Sequence, residues 1–220
     1  MMDPNSLERN RSLRTDFRYV LGHPRRDRHM KLAILGAAFL VWMSFGPLRA
    51  APQVSEEPQI KAAFLYNFIK FVEWPKDRFS GDKDPIVIGV VGKDPFGEAL
   101  DEIANKPAKD RDLVVRRFAS VPSEGADPIH PELDAIRKCH IVFICPSEKK
   151  DFKRLLSALQ DTSILTVGDT AGFLEDGGMI NFLVEEKKVR FEISLVKMRS
   201  ARLDISSQLL RLAKRVDDGK

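Results

Sequence analysis

The stretch Ile60-Lys-Ala-Ala-Phe-Leu-Tyr-Asn-Phe-Ile-Lys-Phe-Val-Glu-Trp-Pro75 decides how the rest of the chain must fold. Its apolar residues recur at three- and four-residue spacings, which predicts one stripe along a helix made of Ile60, Ala63, Phe64, Phe68, Phe71 and Val72, widened by Leu65 and Ile69. Pro75 disfavours helical backbone at the residue before it, so the helix is predicted to end at Trp74. A stripe with this many aromatic residues must be buried against a sheet, a second chain or a membrane partner. Asn67 lies within the stripe, so its side-chain amide needs hydrogen-bond partners if it is buried.

The first 50 residues contain the three parts of a secretory signal peptide. A basic segment ends at Lys31, an uncharged apolar run covers residues 32–48, and small residues surround a candidate cleavage site after Ala50. Translation from Met30 would give a signal of ordinary length. The apolar run is also near the length of a membrane span, so an uncleaved inner-membrane anchor stays an alternative. Residues 1–50 are therefore predicted to be a leader, and the protein is predicted to be exported to the periplasm.

Export changes the meaning of the charge balance. The full chain of 220 residues has 36 basic and 32 acidic residues, whereas residues 51–220 carry 27 basic and 28 acidic ones. The basic excess belongs to the leader, so the charge gives no argument for nucleic-acid binding. The length of the exported part is that of a single domain, which we place over residues 60–216. Residues 51–59 are then predicted to be a linker, and residues 217–220 a short tail.

Strand and helix patterns alternate after the aromatic helix. Branched apolar runs predict strands at 86–92, 113–118, 140–144 and 164–167, with helices over 94–104, 132–137 and 147–160 between them. Asp94 and Ser147 are the predicted N-caps of the first and third of these helices. This order predicts a mostly parallel sheet covered by helices on both faces, which is a Rossmann-like, three-layer α/β/α sandwich.

The pattern changes near the carboxyl terminus. Two apolar runs at 179–185 and 188–193, joined by Glu186-Lys187, predict an antiparallel hairpin. The second run alternates apolar and charged residues, so we expect it at the edge of the sheet with one face in water. A helix from about Val196 to Val216 is predicted to close the chain.

Few residues of the exported part can carry chemistry. Gly92 and Gly97 have the spacing of P-loop glycines, but the Lys-Ser/Thr pair that completes that motif is missing, so a tight turn is the preferred interpretation of Gly92. The exported part has two histidines, His130 and His140, and its paired carboxylates are sequence neighbours that point apart. We therefore predict no catalytic set, no metal site and no cofactor.

The two cysteines flank an apolar run that is predicted to be a strand. Six residues of extended chain would separate Cys139 from Cys145 by about 20 Å, which is too far for a disulfide. Buried, unreactive thiols are the preferred interpretation, and an intermolecular bridge is the alternative.

Segments in order along the exported part resemble the YfiR-like family (DUF4154). The similar segments are residues 61–75, 88–96, 139–144, 164–169, 177–180, 191–193 and 203–210. The most specific ones are Phe71-Val-Glu-Trp74-Pro75 and Gly177-Gly-Met-Ile180. The residues that match the family motif, interpreted as mainly structural, are Phe64, Asn67, Phe68, Phe71, Trp74, Pro75, Gly92, Pro95, Phe96, Gly177, Gly178, Ile180, Phe191 and Ile193.

The resemblance implies an exported, dimer-forming α/β sandwich without enzymatic activity. It further implies that the protein binds and inhibits the periplasmic domain of an inner-membrane diguanylate cyclase of the GGDEF type, which lowers cyclic di-GMP and the output of biofilm and exopolysaccharide. Disulfides tune the best-known member, but here only Cys139 lies near a family cysteine, and Ser194 replaces an Asn that often follows Phe-x-Ile. Disulfide control is therefore not expected to carry over.

Residues on the far side of the aromatic helix become candidates for a dimer or partner surface, namely Tyr66, Lys70 and Glu73. Two other classes of function stay open. The first is a periplasmic small-ligand carrier or sensor accessory for another membrane receptor, because mixed α/β sheets bind ligands beyond the carboxyl ends of their strands. The second is a hydrolase, which would need a Ser or Asp hydrogen-bonded to His130 or His140 in a cleft.

Overall fold

A seven-stranded sheet organises the residues that the computed structural model describes, which are 56–104, 106–120 and 132–219. The leader, its candidate cleavage site, most of the predicted linker and His130 lie outside the described residues. The strands of the main sheet are β2 (Ile86–Val91), β3 (Leu113–Phe118), β4 (Ile141–Ile144), β5 (Leu165–Gly168), β6 (Ile180–Glu185), β7 (Lys188–Ser194) and β9 (Arg215–Asp217). Their order across the sheet is β3-β2-β4-β5-β6-β7-β9.

Strand directions confirm a mostly parallel sheet with an antiparallel hairpin. The ladders that join β3, β2, β4, β5 and β6 are all parallel, and β7 runs antiparallel to β6. The two hairpin residues Glu186 and Lys187 have φ angles of 49° and 62°. Both are therefore left-handed, as the commonest two-residue hairpin turn requires. The two-residue connection, which can be recognised in the sequence, sets the pairing register of β6 and β7.

Helices cover both faces of the parallel part of the sheet. The helices α1 (Glu57–Phe71) and α2 (Glu98–Ala104) contribute to one apolar cluster, while α3 (Leu133–Ile136) and α4 (Phe152–Ala158) contribute to another. Strand β2 is buried throughout and sends Ile86, Ile88 and Val90 to the first cluster and Val87 and Val91 to the second. The predicted three-layer α/β/α sandwich is thus confirmed.

The aromatic helix is shorter at its end than predicted, and it also starts earlier. Helix α1 begins at Glu57, inside the predicted linker, and ends at Phe71 rather than Trp74. The next two residues form β1 (Val72–Glu73), which pairs antiparallel with β8 (Asp204–Ile205). The Phe71 carbonyl accepts a hydrogen bond from the Ser206 backbone N–H at 2.9 Å. Pairing with a segment about 130 residues further along the chain therefore replaces the last helical turn.

The buried face of α1 also differs from the predicted stripe. Its buried residues are Lys61, Ala62, Leu65, Phe68 and Ile69, followed by Val72 in β1. Ile60 is 38% exposed, Ala63 is exposed, and Phe64 and Phe71 are only half-buried. The sequence pattern could not reveal this rotation because a lysine, Lys61, occupies a buried position of the helix.

The predicted helix over 196–216 is wrong. The segment forms α5 (Leu195–Ser200), β8, α6 (Ser207–Leu210) and then β9. Arg202 has a φ of 57°, which ends the first helix, and Ser206 caps the second by accepting from the Gln208 N–H at 3.2 Å. Strand β9 pairs with β7, so β7 is not at the sheet edge as predicted, and Asp217 belongs to a strand rather than to a tail.

Two predicted N-caps are wrong in detail. Asp94 accepts from the Phe96 N–H at 2.7 Å, but this bond closes a turn, and α2 begins only at Glu98. Ser147 lies inside the 3₁₀ helix Pro146–Asp151, which precedes the α-helical turns of α4. Serine and aspartate are common in turns as well as at helix N-caps, so the residue type alone does not distinguish these two roles.

Candidate functional site

The chain that follows α1 builds the wall of a cleft. After Trp74 and Pro75 comes the 3₁₀ helix Lys76–Arg78 and then a turn over residues 80–84. Asp84 Oδ2 accepts from the backbone N–H groups of Ser80 and Gly81 at 2.7 and 2.9 Å. Arg111 Nη1 donates to the carbonyls of Gly81 and Asp84 at 2.9 and 2.8 Å. This turn is therefore held from inside and from the neighbouring loop.

The cleft has a volume of about 470 Å³ and opens to solvent. It is lined by Glu73, Trp74, Lys76, Phe79, Ser80, Gly81, Asp82, Ile86, Lys109 and Arg111. Ile86 begins β2, and Arg111 comes just before β3. The cleft thus lies at the amino ends of these strands, whereas ligands of α/β sheets usually bind at the carboxyl ends.

Trp74 joins this cleft to the protein core. Its side chain is 8% exposed, and its Nε1 donates to the His140 carbonyl at 3.2 Å. The ring meets the His140 ring edge-on at 6.0 Å between centroids, and Lys109 Nζ lies 5.8 Å from the Trp74 ring centre. Trp74 therefore packs mainly as a core residue and contributes to the cleft wall.

His140 has a structural position beneath the cleft. Its ring stacks on Phe79 at 4.7 Å, and its Nδ1 accepts from the Val87 N–H at 3.1 Å. Burial, together with the charges of Arg78 and Arg111, lowers the pKa of His140 to about 4. The imidazole is therefore neutral at neutral pH and is packed in the core, with no Ser or Asp among the hydrogen-bond partners of its ring in the described part of the chain.

Of the predicted surface residues Tyr66, Lys70 and Glu73, the first lies in α1 and the last in β1, and both contact the turn 106–111. Tyr66 donates its hydroxyl hydrogen to the Pro107 carbonyl at 2.9 Å, and Glu73 pairs with Lys109 at 2.6 Å. Lys70 is exposed, with its Nζ 5.6 Å from the Tyr66 ring centre. Two of the three candidates therefore hold a loop in place, while Lys70 is presented to solvent.

Lys109 connects this surface to the cleft, and the sequence analysis missed it. Its Nζ donates to the Val72 carbonyl at 2.7 Å in addition to its pair with Glu73. Lys109 and Asp110 have φ angles of 54° and 59°, so the turn doubles back sharply. Phe79 and Arg111 were missed too, although Arg111 lies 3.9 Å from the Phe79 ring centre. A cluster of charges between two predicted strands was the available signal.

The carboxyl edge of the sheet is filled by the chain's own side chains. Lys61 Nζ lies 2.9 Å from Asp169 Oδ2 and 2.6 Å from Glu57 Oε1. Burial alone would lower the pKa of Lys61, but hydrogen bonds to Glu57 and Asp169 outweigh it and raise the pKa. A cavity of about 40 Å³ beside Lys61 has room for water only.

The glycines of the family motif serve tight packing. Gly92 has a φ of 96°, which confirms the tight turn, and a Cβ there would lie 2.4 Å from Ser147 Oγ. A Cβ on Gly178 would lie 2.2 Å from the buried Phe173 ring, and Gly177 has a φ of 111°. These positions need glycine for steric reasons and present no phosphate loop.

The aromatic motif residues meet on the hairpin. Phe68 lies 5.7 Å from Phe182 and 5.2 Å from Phe191, and Phe64 lies 5.3 Å from Phe191. The other motif residues divide by burial, with Phe96, Ile180 and Ile193 buried, Asn67 and Pro75 half-buried and Pro95 exposed. The aromatic helix is therefore seated on β6 and β7.

The two cysteines are buried on opposite faces of the sheet. Cys139 belongs to the cluster beneath α3 and α4, and Cys145 belongs to the cluster beneath α1 and α2. Burial raises the pKa of Cys139 to about 11 and also raises that of Cys145. Both are free thiols, as predicted, and neither forms the reactive thiolate at neutral pH.

Neither a metal cluster nor a membrane helix is found where the structure describes the chain. Across residues 56–104, 106–120 and 132–219, no three His, Cys, Asp or Glu side chains are grouped to hold a metal ion. In those same residues no helix has the length and apolar character needed to cross a bilayer.

Strand order and layering define a class, the doubly wound α/β sandwiches, here extended by a hairpin and a further strand. Within that class, a family model described as YfiR/HmsC-like (DUF4154) matches residues 58–214. The chain therefore belongs to the YfiR/HmsC-like family. The curated proteins compared with the chain contain no match to it.

Two solved structures share the fold. One is a conserved domain protein from Vibrio cholerae, with a TM-score of 0.52, 12% identity and 73% of this chain covered. The other is the ABC domain in complex with L-Trp from Streptococcus pneumonia, with a TM-score of 0.50, 13% identity and 70% covered. The chain spans 60% of the length of each. At such identities the likeness shows the fold alone.

Proposed function

We propose that this chain is an exported regulatory protein without enzymatic activity, which binds the periplasmic domain of an inner-membrane diguanylate cyclase and inhibits it. The observation that carries the proposal is the family match over residues 58–214. Inhibition would lower cyclic di-GMP and the output of biofilm and exopolysaccharide. Two copies of the chain are proposed to form a homodimer.

The proposed docking face consists of Tyr66, Lys70, Glu73 and the turn 106–111. The contacts of Tyr66 with Pro107 and of Glu73 with Lys109 fix this turn against α1. Because the turn is already ordered in the free protein, a partner would not have to order it on binding, which reduces the entropic cost of binding. Lys70 adds an exposed positive charge that favours an acidic partner surface.

The absence of enzymatic activity is proposed from the positions of the residues that could carry chemistry. His140 is neutral and enclosed by Phe79 and Trp74, so it is not placed to move a proton for a substrate. At the carboxyl edge, Lys61 and Asp169 neutralise each other. These arrangements support a binding protein over the hydrolase that the sequence left open.

The proposal is tested by deleting the gene in a strain that expresses the cognate cyclase and measuring cyclic di-GMP. Deletion is expected to raise the nucleotide level, and the wild-type gene is expected to restore it. Lys70→Glu should fail to restore it while melting like the wild type. Lys188→Glu, a matched charge reversal at an exposed residue of the distant hairpin, should restore it fully. An unchanged nucleotide level after deletion would contradict the proposal.

Export has its own test. Fusing residues 1–55 to alkaline phosphatase, which folds only outside the cytoplasm, should give an active enzyme. The mass of the purified, exported chain then distinguishes cleavage after Ala50 from an uncleaved anchor.

The cleft favours a second candidate function, the binding of a small ligand. Its walls combine the aromatic rings of Trp74 and Phe79 with the cations Lys76, Lys109 and Arg111, which outnumber the carboxylates Glu73 and Asp82 by one. This lining suits a small anion with an apolar part. Thermal-shift screening with small organic acids should identify stabilising compounds, and Lys76→Gln should reduce their effect. A screen in which no compound raises the melting temperature would count against this function.

A further inference from the structure

The last strand of the sheet leaves one backbone edge unpaired among the described residues. Strand β9 pairs with β7 on one side, with Val216 opposite Ile193. The Ser194 N–H donates to the Met179 carbonyl at 2.8 Å, so Glu192 and Ser194 face β6, and the Lys214 N–H donates to the Phe191 carbonyl at 2.8 Å, so Phe191 and Ile193 face β9. With Glu192 opposite Arg215, the backbone groups of Arg215 and Asp217 therefore face β7, and those of Val216 face outward. All three residues of β9 are exposed.

Side chains of β9 divide between the two faces of the sheet. Arg215 Nε donates to Glu192 Oε2 at 3.0 Å, and Asp217 Oδ2 accepts from Ser194 Oγ at 3.2 Å, so both charges lie on the same face. Val216 points to the other face and is 36% exposed. The edge therefore offers, in order, a cation that also pairs with Glu192 and Glu175, an apolar residue and an anion, with outward backbone hydrogen-bonding groups on Val216.

We propose that a second copy of the chain pairs with this edge, antiparallel, about a two-fold axis at Val216. Such a pair places Arg215 of each copy opposite Asp217 of the other and Val216 opposite Val216. The outward N–H and C=O groups of Val216 then form a hydrogen-bonded pair with those of Val216 in the second copy, and the two sheets become continuous. The inference rests on the proposed homodimer and assigns its interface.

The partner of this edge is a second copy of the chain because the order of charges along β9 is complementary to itself when the strand is reversed. A two-fold interface uses the same patch on both subunits, so each charge must meet its opposite when the strand is reversed. The order Arg215, Val216, Asp217 satisfies this condition, since opposite charges placed across antiparallel strands stabilise the pair. The other edge strand, β3, carries Arg116 and Arg117 and no acidic residue, which protects it from pairing.

A symmetric cross-link tests the position of the axis. Directly opposed residues of a hydrogen-bonded antiparallel pair have alpha carbons about 5.5 Å apart, within the range for a disulfide. Val216→Cys in the full, exported chain should therefore give a covalent dimer under mild oxidation. Val184→Cys, at a residue that is 51% exposed on the hairpin, is the matched control and should stay monomeric on the gel. The native cysteines are buried and do not interfere.

A charge swap gives the second test, read by light scattering after size exclusion. Arg215→Asp and Asp217→Arg each place like charges opposite one another in both symmetric pairs, so each should raise the dimer dissociation constant roughly tenfold or more. The double variant should recover most of the loss, because opposite charges meet again. Melting temperatures of all three variants check that the fold is intact.

The outcomes separate this inference from the wider proposal. A dimer that survives both single variants, with no cross-link at position 216, overturns the β9 interface and leaves the homodimer standing. A wild-type chain that is monomeric at all concentrations overturns both. The cyclic di-GMP assay is independent of either result, so regulation of the cyclase is judged separately.

Discussion

The stability of the domain should depend strongly on Trp74, because this residue closes the core beneath the cleft. Its side chain is 8% exposed and makes a hydrogen bond of 3.2 Å to the His140 carbonyl. Replacing a buried Trp by Ala costs about 3–5 kcal/mol of folding free energy when the remaining cavity cannot collapse. The cleft opens beside the ring, so water can enter the vacated space, and we expect Trp74→Ala to cost about 3 kcal/mol, at the lower end of that range.

Thermal unfolding followed by circular dichroism would measure this cost. For a domain of this size a loss of about 3 kcal/mol lowers the melting temperature by roughly 6–12 °C. Trp74→Phe is the matched control, since it keeps an aromatic ring but removes one of the two donors to the His140 carbonyl, which still accepts from the Leu165 N–H at 2.9 Å; this should cost about 1 kcal/mol. The reasoning is refuted if Trp74→Ala melts like the wild type. If that variant also lost cyclase binding, Trp74 would belong to the partner surface.

Three further changes test other parts of the structure by urea unfolding. Lys61→Met should cost about 3 kcal/mol because it leaves Asp169 as an uncompensated buried charge, and adding Asp169→Leu should recover part of that loss. His140 has a folded pKa of about 4 against an ordinary value of 6.5, so the unfolded chain takes up its proton first as pH falls. Stability should therefore decline by up to about 3 kcal/mol from pH 7 to pH 4, and less in His140→Asn. Gly178→Ala should destabilise the fold by more than 1 kcal/mol, because its Cβ would meet Phe173, and an unchanged unfolding midpoint would contradict that contact.

The sequence predicted those elements whose signals lie within a few neighbouring residues, such as buried strands and tight turns. The continuous apolar run of β2, buried on both faces, and the charged two-residue turn at Glu186-Lys187 each specify their element without distant partners. The parallel sheet and its hairpin followed from these signals. The correct order of strands beyond β7 did not, because β9 is recognised only by its pairing with β7.

Errors occurred where distant segments compete with local preference. Apolar residues such as Leu203 and Leu209 have helical spacing, yet Ile205 between them pairs with Val72 in a small separate sheet. That one pairing both shortened the aromatic helix and divided the predicted carboxyl-terminal helix. A single sequence without its pairing partners carries no sign of it.

The cleft was beyond sequence reasoning for the same reason. Of its walls, only Glu73 and Trp74 lie in the stretch that was singled out, and Phe79, Lys109 and Arg111 reach it from two loops. Arg111 becomes part of the wall by hydrogen bonding to a turn about thirty residues earlier in the chain. Such a site is visible only once the loops are placed.

The structure also determines which residue can report on partner binding without disturbing the fold. Tyr66 and Glu73 are exposed in part, but each holds the turn 106–111, and Lys109 of that turn also bonds the Val72 carbonyl beside β8. A variant at either position would loosen the end of α1 as well as change the surface, so lost binding could reflect lost shape. Lys70 lies between them in the chain and is exposed, with its Nζ 5.6 Å from the Tyr66 ring centre. It is therefore the position at which a change in the proposed cyclase inhibition is attributable to the interface itself.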